Sequence, residues 1–165
     1  MPARDAIYPA KRHALYDIHR YSAAIRSGDL LLVSGQVGSR EDGSPEPAFE
    51  DQVRRAFANL RAVLAAAGCS FDDVVDVTTF HTNPDQQIET VLAVRADEIG
   101  GPPYPNWTAV GVNWLAGFDF EIKVIARIPS TTSGQPAGWS LALQSTAKLP
   151  LADSPLPARQ DATSS

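Results

Sequence analysis

The stretch that most constrains the fold runs from residue 102 to 129, PPYPNWTAVGVNWLAGFDFEIKVIARIP. From Phe118 it alternates without a break. Phe118, Phe120, Ile122, Val124, Ala126 and Ile128 share one side, and Asp119, Glu121, Lys123, Ile125 and Arg127 share the other. Successive strand side chains point to opposite faces, so this pattern predicts a strand with one apolar and one mixed face. Upstream, Thr108, Val110, Val112 and Trp114 make a second apolar face, opposite Trp107, Ala109, Gly111 and Asn113. The short Leu115-Ala116-Gly117 connection predicts that the two strands form a hairpin. Pro105 cannot donate to a ladder and fits only the start or edge of the first strand. On this reading Trp107 and Glu121 share the mixed face, whose small residues leave room for a ligand or another subunit.

The rest of the chain supplies a domain around that stretch. Its 165 residues suffice for one domain and a tail. Residues 1–18 mix prolines, basic residues and scattered aromatics and read as an irregular N-terminal arm. Residues 19–26 and 30–36 read as two strands joined at Ser27-Gly28-Asp29, a turn sequence. A loop rich in glycine, proline and charge covers residues 38–47. Residues 48–67 predict the best helix: Phe49, Val53, Phe57, Leu60, Leu64 and Ala67 recur at helical spacing, Glu50 and Asp51 favour its start, and Gly68 stops it. Arg54, Arg55 and Arg61 read as its solvated face. Residues 73–82 are β-branched and predict a third strand. Asn83-Pro84-Asp85 ends it and starts a weaker helix over 86–99, with Ile88, Val91, Leu92 and Ile99 as its stripe.

The resulting order is β-β-α-β-α-β-β, an α+β domain over residues 19–129 with two helices on one face of a mixed sheet. No helix remains for the other face, so a homo-oligomer is the economical cover. Residues 130–165 change character to Ser, Pro, Ala and Thr and read as a flexible tail, whose Trp139, Leu141 and Leu143 could dock on the domain.

Several function classes fall away. A net charge of −5 predicts no broad basic field, which disfavours nucleic-acid binding. The charged N-terminus is neither signal peptide nor anchor, and no run approaches the ~18 apolar residues of a membrane span, so a cytoplasmic protein is expected. The single cysteine, Cys69, fits a reducing compartment and reads as packing rather than nucleophile. There is no phosphate loop, paired-cysteine motif or nucleophile elbow, and His13, His19 and His81 lack metal-ligand spacing, so no metal is expected. His81 reads as a hydrogen-bonded structural residue. Glu121, mid-strand on a mixed face, is either a rim partner of Lys123 or Arg127 or a functional carboxylate.

The segments YSAAIRSGDLLLVSGQVG, FEDQVRRAFANLRAVLAAAGCSFDDVVDVTTF and PPYPNWTAVGVNWLAGFDFEIKVIARIP, in this order, resemble the RidA/YjgF (L-PSP) family, most closely its YjgH-like branch. The resemblance spans residues 21–129. It implies a chorismate-mutase-like protomer, a homotrimer, and small-molecule clefts between subunits. It also implies hydrolysis of enamines and imines such as 2-aminoacrylate to 2-oxo acids and ammonia, with no metal or organic cofactor. By position, Tyr21 matches the family tyrosine, Ser34 and Gly35 the cleft segment, and Glu121 the glutamate that orients water. The carboxylate-gripping arginine does not carry over: the family pattern Pro-Ala-Arg-Thr/Ser reads Pro105-Asn106-Trp107-Thr108 here. Ala109 and Ala116 replace a frequent cysteine and proline, and the second helix has no asparagine.

An indole has one N–H and no charge, whereas guanidinium offers a charged two-pronged donor. Losing such a desolvated contact costs about 2–5 kcal/mol. Efficient 2-aminoacrylate deamination is therefore not expected. Trp107 either stacks a flat ligand or plugs the cleft, and Arg20 or Arg26 could supply a displaced charge. Three functions stay open: a deaminase-like hydrolase of C=N compounds centred on Glu121, a non-catalytic trimer binding a metabolite or protein, and, disfavoured by charge, a ribonuclease or translation inhibitor.

Overall fold

In this computed structural model, residues 4–130 are described. The expected tail, with Trp139, Leu141 and Leu143, lies outside them. The elements run β1 (Asp5–Ile7), α1 (Leu15–Ile18), β2 (Ala24–Ser27), β3 (Leu30–Val33), β4 (Gln36–Val37), α2 (Phe49–Ala66), a 3-10 turn (Phe71–Asp73), β5 (Val74–His81), α3 (Pro84–Glu98), β6 (Asn106–Gly111) and β7 (Phe120–Arg127). They form one mixed sheet in the order β1-β2-β3-β7-β5-β6, with β4 also paired to β7.

The α+β architecture follows from two amphipathic patterns meeting. On α2, Val53, Ala56, Phe57, Leu60, Val63 and Leu64 are all buried. They pack against Phe120, Ile122, Val124 and Ala126, the apolar side of β7, which is 0–1% exposed. The stripe expected on α3 is only partly right. Val91 is buried, but Leu92 is 44% exposed and Val94 takes the inward position. Gly68, at φ +74°, ends α2 as its sequence position predicts.

Two expectations need correction. The described part of the arm expected to be irregular holds two elements: β1 pairs with β2, and α1 carries the buried Tyr16. The arm is apolar at the few positions that matter, too few to show a period.

The closing hairpin is also absent. β6 pairs in parallel with β5, and β7 pairs antiparallel with β5 on its other edge, so β5 separates the two strands. The α3 crossover returns the chain beside β5, as a parallel connection requires. The link from β6 to β7 then passes over the end of β5. Val112 N–H donates to the His81 carbonyl (2.9 Å) and Thr82 N–H to the Asp119 carbonyl (3.2 Å). A polar clip holds this link: Asp119 N–H donates to Gln52 Oε1 (3.0 Å), and Gln52 Nε2 donates to Asp119 Oδ2 (3.1 Å).

Candidate active site

A one-residue shift builds the site. β3 pairs with β7 through Leu32 opposite Ile125, and β4 resumes with Gln36 opposite Ile122, one residue out of step. The extra residue falls at Ser34-Gly35, a bulge within what the sequence pattern suggested was one strand. The bulge is pinned from below. Tyr16 Oη donates to Gln36 Oε1 (2.7 Å), and Gln36 Nε2 donates to the Ser34 carbonyl (2.9 Å). Ser34 Oγ donates back to the Ser22 carbonyl (2.8 Å), so this hydroxyl serves the scaffold.

Gly35 matters because of what lies above it. A Cβ there would overlap the Glu121 carboxyl at Oε1, so only glycine lets Glu121 lie on the bulge. Glu121 stands on β7 opposite Val37 on one side and Phe80 on the other, on the sheet face that α2 and α3 leave open. Tyr21 arrives from the N-terminal side. Helix α1 stops at His19, and Arg20 adopts φ 55°, turning the chain so that Tyr21 packs edge-on against Tyr16 at 5.0 Å. Tyr21, Gly35 and Glu121 thereby line one cavity of about 360 Å³, walled by Leu15, Val37 and Phe118. Arg20 and Arg26 do not line it, and Arg26 pairs with Asp5 at the β1 edge (3.4 Å).

The electrostatics follow from partial burial. Burial raises the proton affinity of the Glu121 carboxyl above that of an ordinary glutamate, against the opposing charge of Lys123. Burial and the Glu121 charge push the Tyr21 phenol up to about 12. At neutral pH the phenol keeps its proton, beside a carboxyl that holds a proton more readily than an exposed one.

Trp107 is not with them. Its in-register neighbour is Val77, a core residue 2% exposed, so Trp107 lies on the helix side of the sheet and Glu121 on the open side. The mixed face expected to carry both does not exist, because the hairpin that would have aligned them does not form. The Trp107 indole N–H donates to Thr79 Oγ1 (2.9 Å). Thr79 Oγ1 also lies 2.8 Å from Nε2 of the buried His81, whose proton affinity burial lowers. His81 is thus the structural residue its position suggested. Cys69 is buried and its thiol pushed up by burial, as befits packing.

Sequence reading missed His19 and the 114–118 turn as cavity lining. Only the Ala116-Gly117 pair, at φ 53° and 91°, hinted at a sharp reversal there. Among the described residues no cluster of His, Cys, Asp and Glu could hold a metal, and no helix is long and apolar enough to cross a membrane.

Comparison with known proteins agrees with this fold. Residues 11–128 match the family model described as Endoribonuclease L-PSP. The RutC family protein YjgH of Escherichia coli (strain K12) is 70% identical over 129 residues, 78% of this chain and 98% of that protein. A solved structure described as Protein YJGH, also 70% identical, superposes with a TM-score of 0.75 over 78% of this chain and 98% of its own. A protein of Dermatophagoides farinae named 2-iminobutanoate/2-iminopropanoate deaminase is 32% identical over 96 residues, 56% of this chain and 72% of that one. With a family model covering the described domain and a relative this similar over almost its whole length, the chain belongs to the RidA/YjgF (L-PSP) family, in its YjgH-like branch.

Proposed function

We propose that the chain is a cofactor-free hydrolase of small C=N compounds, converting an imine and water to a carbonyl compound and ammonia. The observation that carries this reading is the Glu121 carboxyl, its proton affinity raised by burial, resting on Gly35 beside the protonated Tyr21 phenol. Glu121 takes a proton from water as the water oxygen bonds to the imine carbon. The proton returns to nitrogen to give a carbinolamine; Glu121 then moves the carbinolamine hydroxyl proton to nitrogen, the C–N bond breaks as the carbonyl forms, and ammonia leaves. Tyr21 and the Gly35 backbone hold and polarise the substrate, while the apolar walls limit competing water. A relative named as an imine deaminase supports the reaction class.

The same reading places the working cleft between copies of a homotrimer. The open face carries Ile25, Leu32, Phe80 and Ile125 around a concavity of about 600 Å³ that reaches Glu121. Glu121 and Trp107 lie on opposite faces of one sheet, so a cleft using both needs two copies. Where the resemblance expects a guanidinium, Trp107 brings an indole whose N–H is already used by Thr79. Small 2-imino acids are therefore poor substrates, and imines that do not depend on a carboxylate grip at that position are better ones.

Ammonia release from freshly generated 2-aminoacrylate and 2-iminobutanoate, and from carboxylate-free imines, tests the reading. The wild type is expected to turn over the last group, and Trp107→Arg to gain on the first two. Fast wild-type turnover of 2-aminoacrylate would contradict the role given to Trp107. The cavity lining includes no arginine or lysine, which also favours a second reading, a trimer that binds a metabolite without turnover. Saturable binding with no ammonia from any imine would establish that alternative.

A further inference from the structure

A guanidinium without a carboxylate partner among the described residues stands against Trp107, in a cavity separate from that of Glu121. Arg95, in the last turn of α3, holds its guanidinium carbon 4.5 Å from the Trp107 ring centroid and 5.7 Å from that of Tyr104. Aromatic faces and a helix C-terminus both favour a cation there. The acidic neighbours on the same helix are already engaged: Asp97 pairs with Arg54 (3.4 Å) and Glu98 with Arg61. Among the described residues Arg95 pairs with no carboxylate, and its Nε is shielded from water with no hydrogen-bond partner. Arg95 lines a cavity of about 400 Å³ with Ile99, Gly100, Gly101 and Tyr104.

We propose that Arg95, seated against Trp107 and Tyr104, is a binding site for small organic carboxylates at the β6 edge. A guanidinium packed on rings keeps its in-plane N–H groups for a planar, two-oxygen acceptor, which a carboxylate is. Gly101 leaves its side of the approach clear, while at Gly100 the Asp72 carboxylate borders the approach and limits it to ligands that keep to the Arg95 side. The site lies on the helix side of the sheet, away from Glu121, and does not depend on the reaction proposed there. Trp107 is then the support of the Arg95 guanidinium. Neither Arg20, in the turn after α1, nor Arg26, on β2, has this setting.

The test is a titration of the full chain with 2-oxobutanoate and, separately, with the uncharged 2-butanone, followed at the Arg95 Nε–H and Trp107 Nε1–H signals by NMR. The carboxylate is expected to move the Arg95 signal saturably, and the ketone to leave it in place. Arg95→Met should weaken 2-oxobutanoate binding about 10- to 100-fold, the size of one charge-assisted contact. Its ligand-free Trp107 signal should stay where the Thr79 hydrogen bond puts it, showing the fold intact. Arg95→Lys, which keeps the charge but not the fork, should fall between the two, and serves if Arg95→Met disturbs the fold. No saturable shift at Arg95 in the wild type, or affinities within twofold for Arg95→Met and Arg95→Lys, would overturn the proposal.

Discussion

The two faces of β7 make the most instructive comparison in this molecule. Phe120, Ile122, Val124 and Ala126 are buried under α2, while Glu121, Lys123 and Ile125, from the same eight residues, face a side no helix covers. One face is filled to exclusion and holds the fold. The other leaves a carboxyl half-shielded, with a phenol beside it and apolar residues around it. A glutamate on the first face would be driven out or neutralised, and on a fully solvated face it would be an ordinary acid. The intermediate setting gives Glu121 its raised proton affinity. The bulge at Ser34-Gly35 sets its position.

This contrast can be broken by experiment, with the largest effect on the helix face. Phe57→Ala should cost about 3–5 kcal/mol in denaturant unfolding, since Phe57 is 1% exposed and stacks at 6.3 Å on Phe120. A loss under about 1 kcal/mol would show that the α2–β7 interface is not the centre of stability.

Gly35→Ala separates position from stability. The added methyl must push the Glu121 carboxyl off the bulge. Turnover of any imine the wild type accepts should fall about 100-fold, the lower range for a displaced acid–base group. The melting temperature should drop far less than for Phe57→Ala. Equal losses of stability in the two variants would mean that the bulge is a structural device only.

On the open face, Leu32 is 41% exposed in the protomer. Leu32→Asp should leave the far-ultraviolet circular dichroism of the domain unchanged and reduce the assembly to protomers in light scattering. An unchanged mass would exclude that face from the proposed trimer interface.

The smallest effect concerns pH. The folded state raises the Glu121 proton affinity, so between the carboxyl's ordinary value and its raised one the fold binds more proton than the unfolded chain. Stability then declines as pH rises through that window. Glu121→Gln lacks this titration. It should melt slightly higher than wild type at pH 7, with the gap closing below about pH 4, where the wild-type carboxyl is protonated in both states. A gap independent of pH would argue against the raised proton affinity.

Much of this was legible in the sequence where a single strand or helix carries its own pattern. The stripe of α2 and the alternation of β7 each follow from local period, and both proved right. Pairing between strands is not local. The three-residue Leu115-Ala116-Gly117 link suggested a hairpin, yet β5 lies between β6 and β7, and that one error carried Trp107 to the wrong face. Tyr21, Gly35 and Glu121 were identified through family resemblance, and the structure brings all three to one cavity. Ser34 stands beside them but spends its hydroxyl on the Ser22 carbonyl. Arg95 had no signal of its own. An arginine on a helix reads as solvated face, and only the parallel register of β6 beside α3 reveals the ring beneath it.

The most direct test of the account is ammonia release by Glu121→Gln against wild type, on the best substrate from the imine panel, with both melting temperatures recorded. The account predicts a loss of at least about 100-fold in turnover from a protein as stable as wild type or slightly more so. A variant that keeps its turnover would contradict it, because the open-face carboxyl would then have no part in the chemistry.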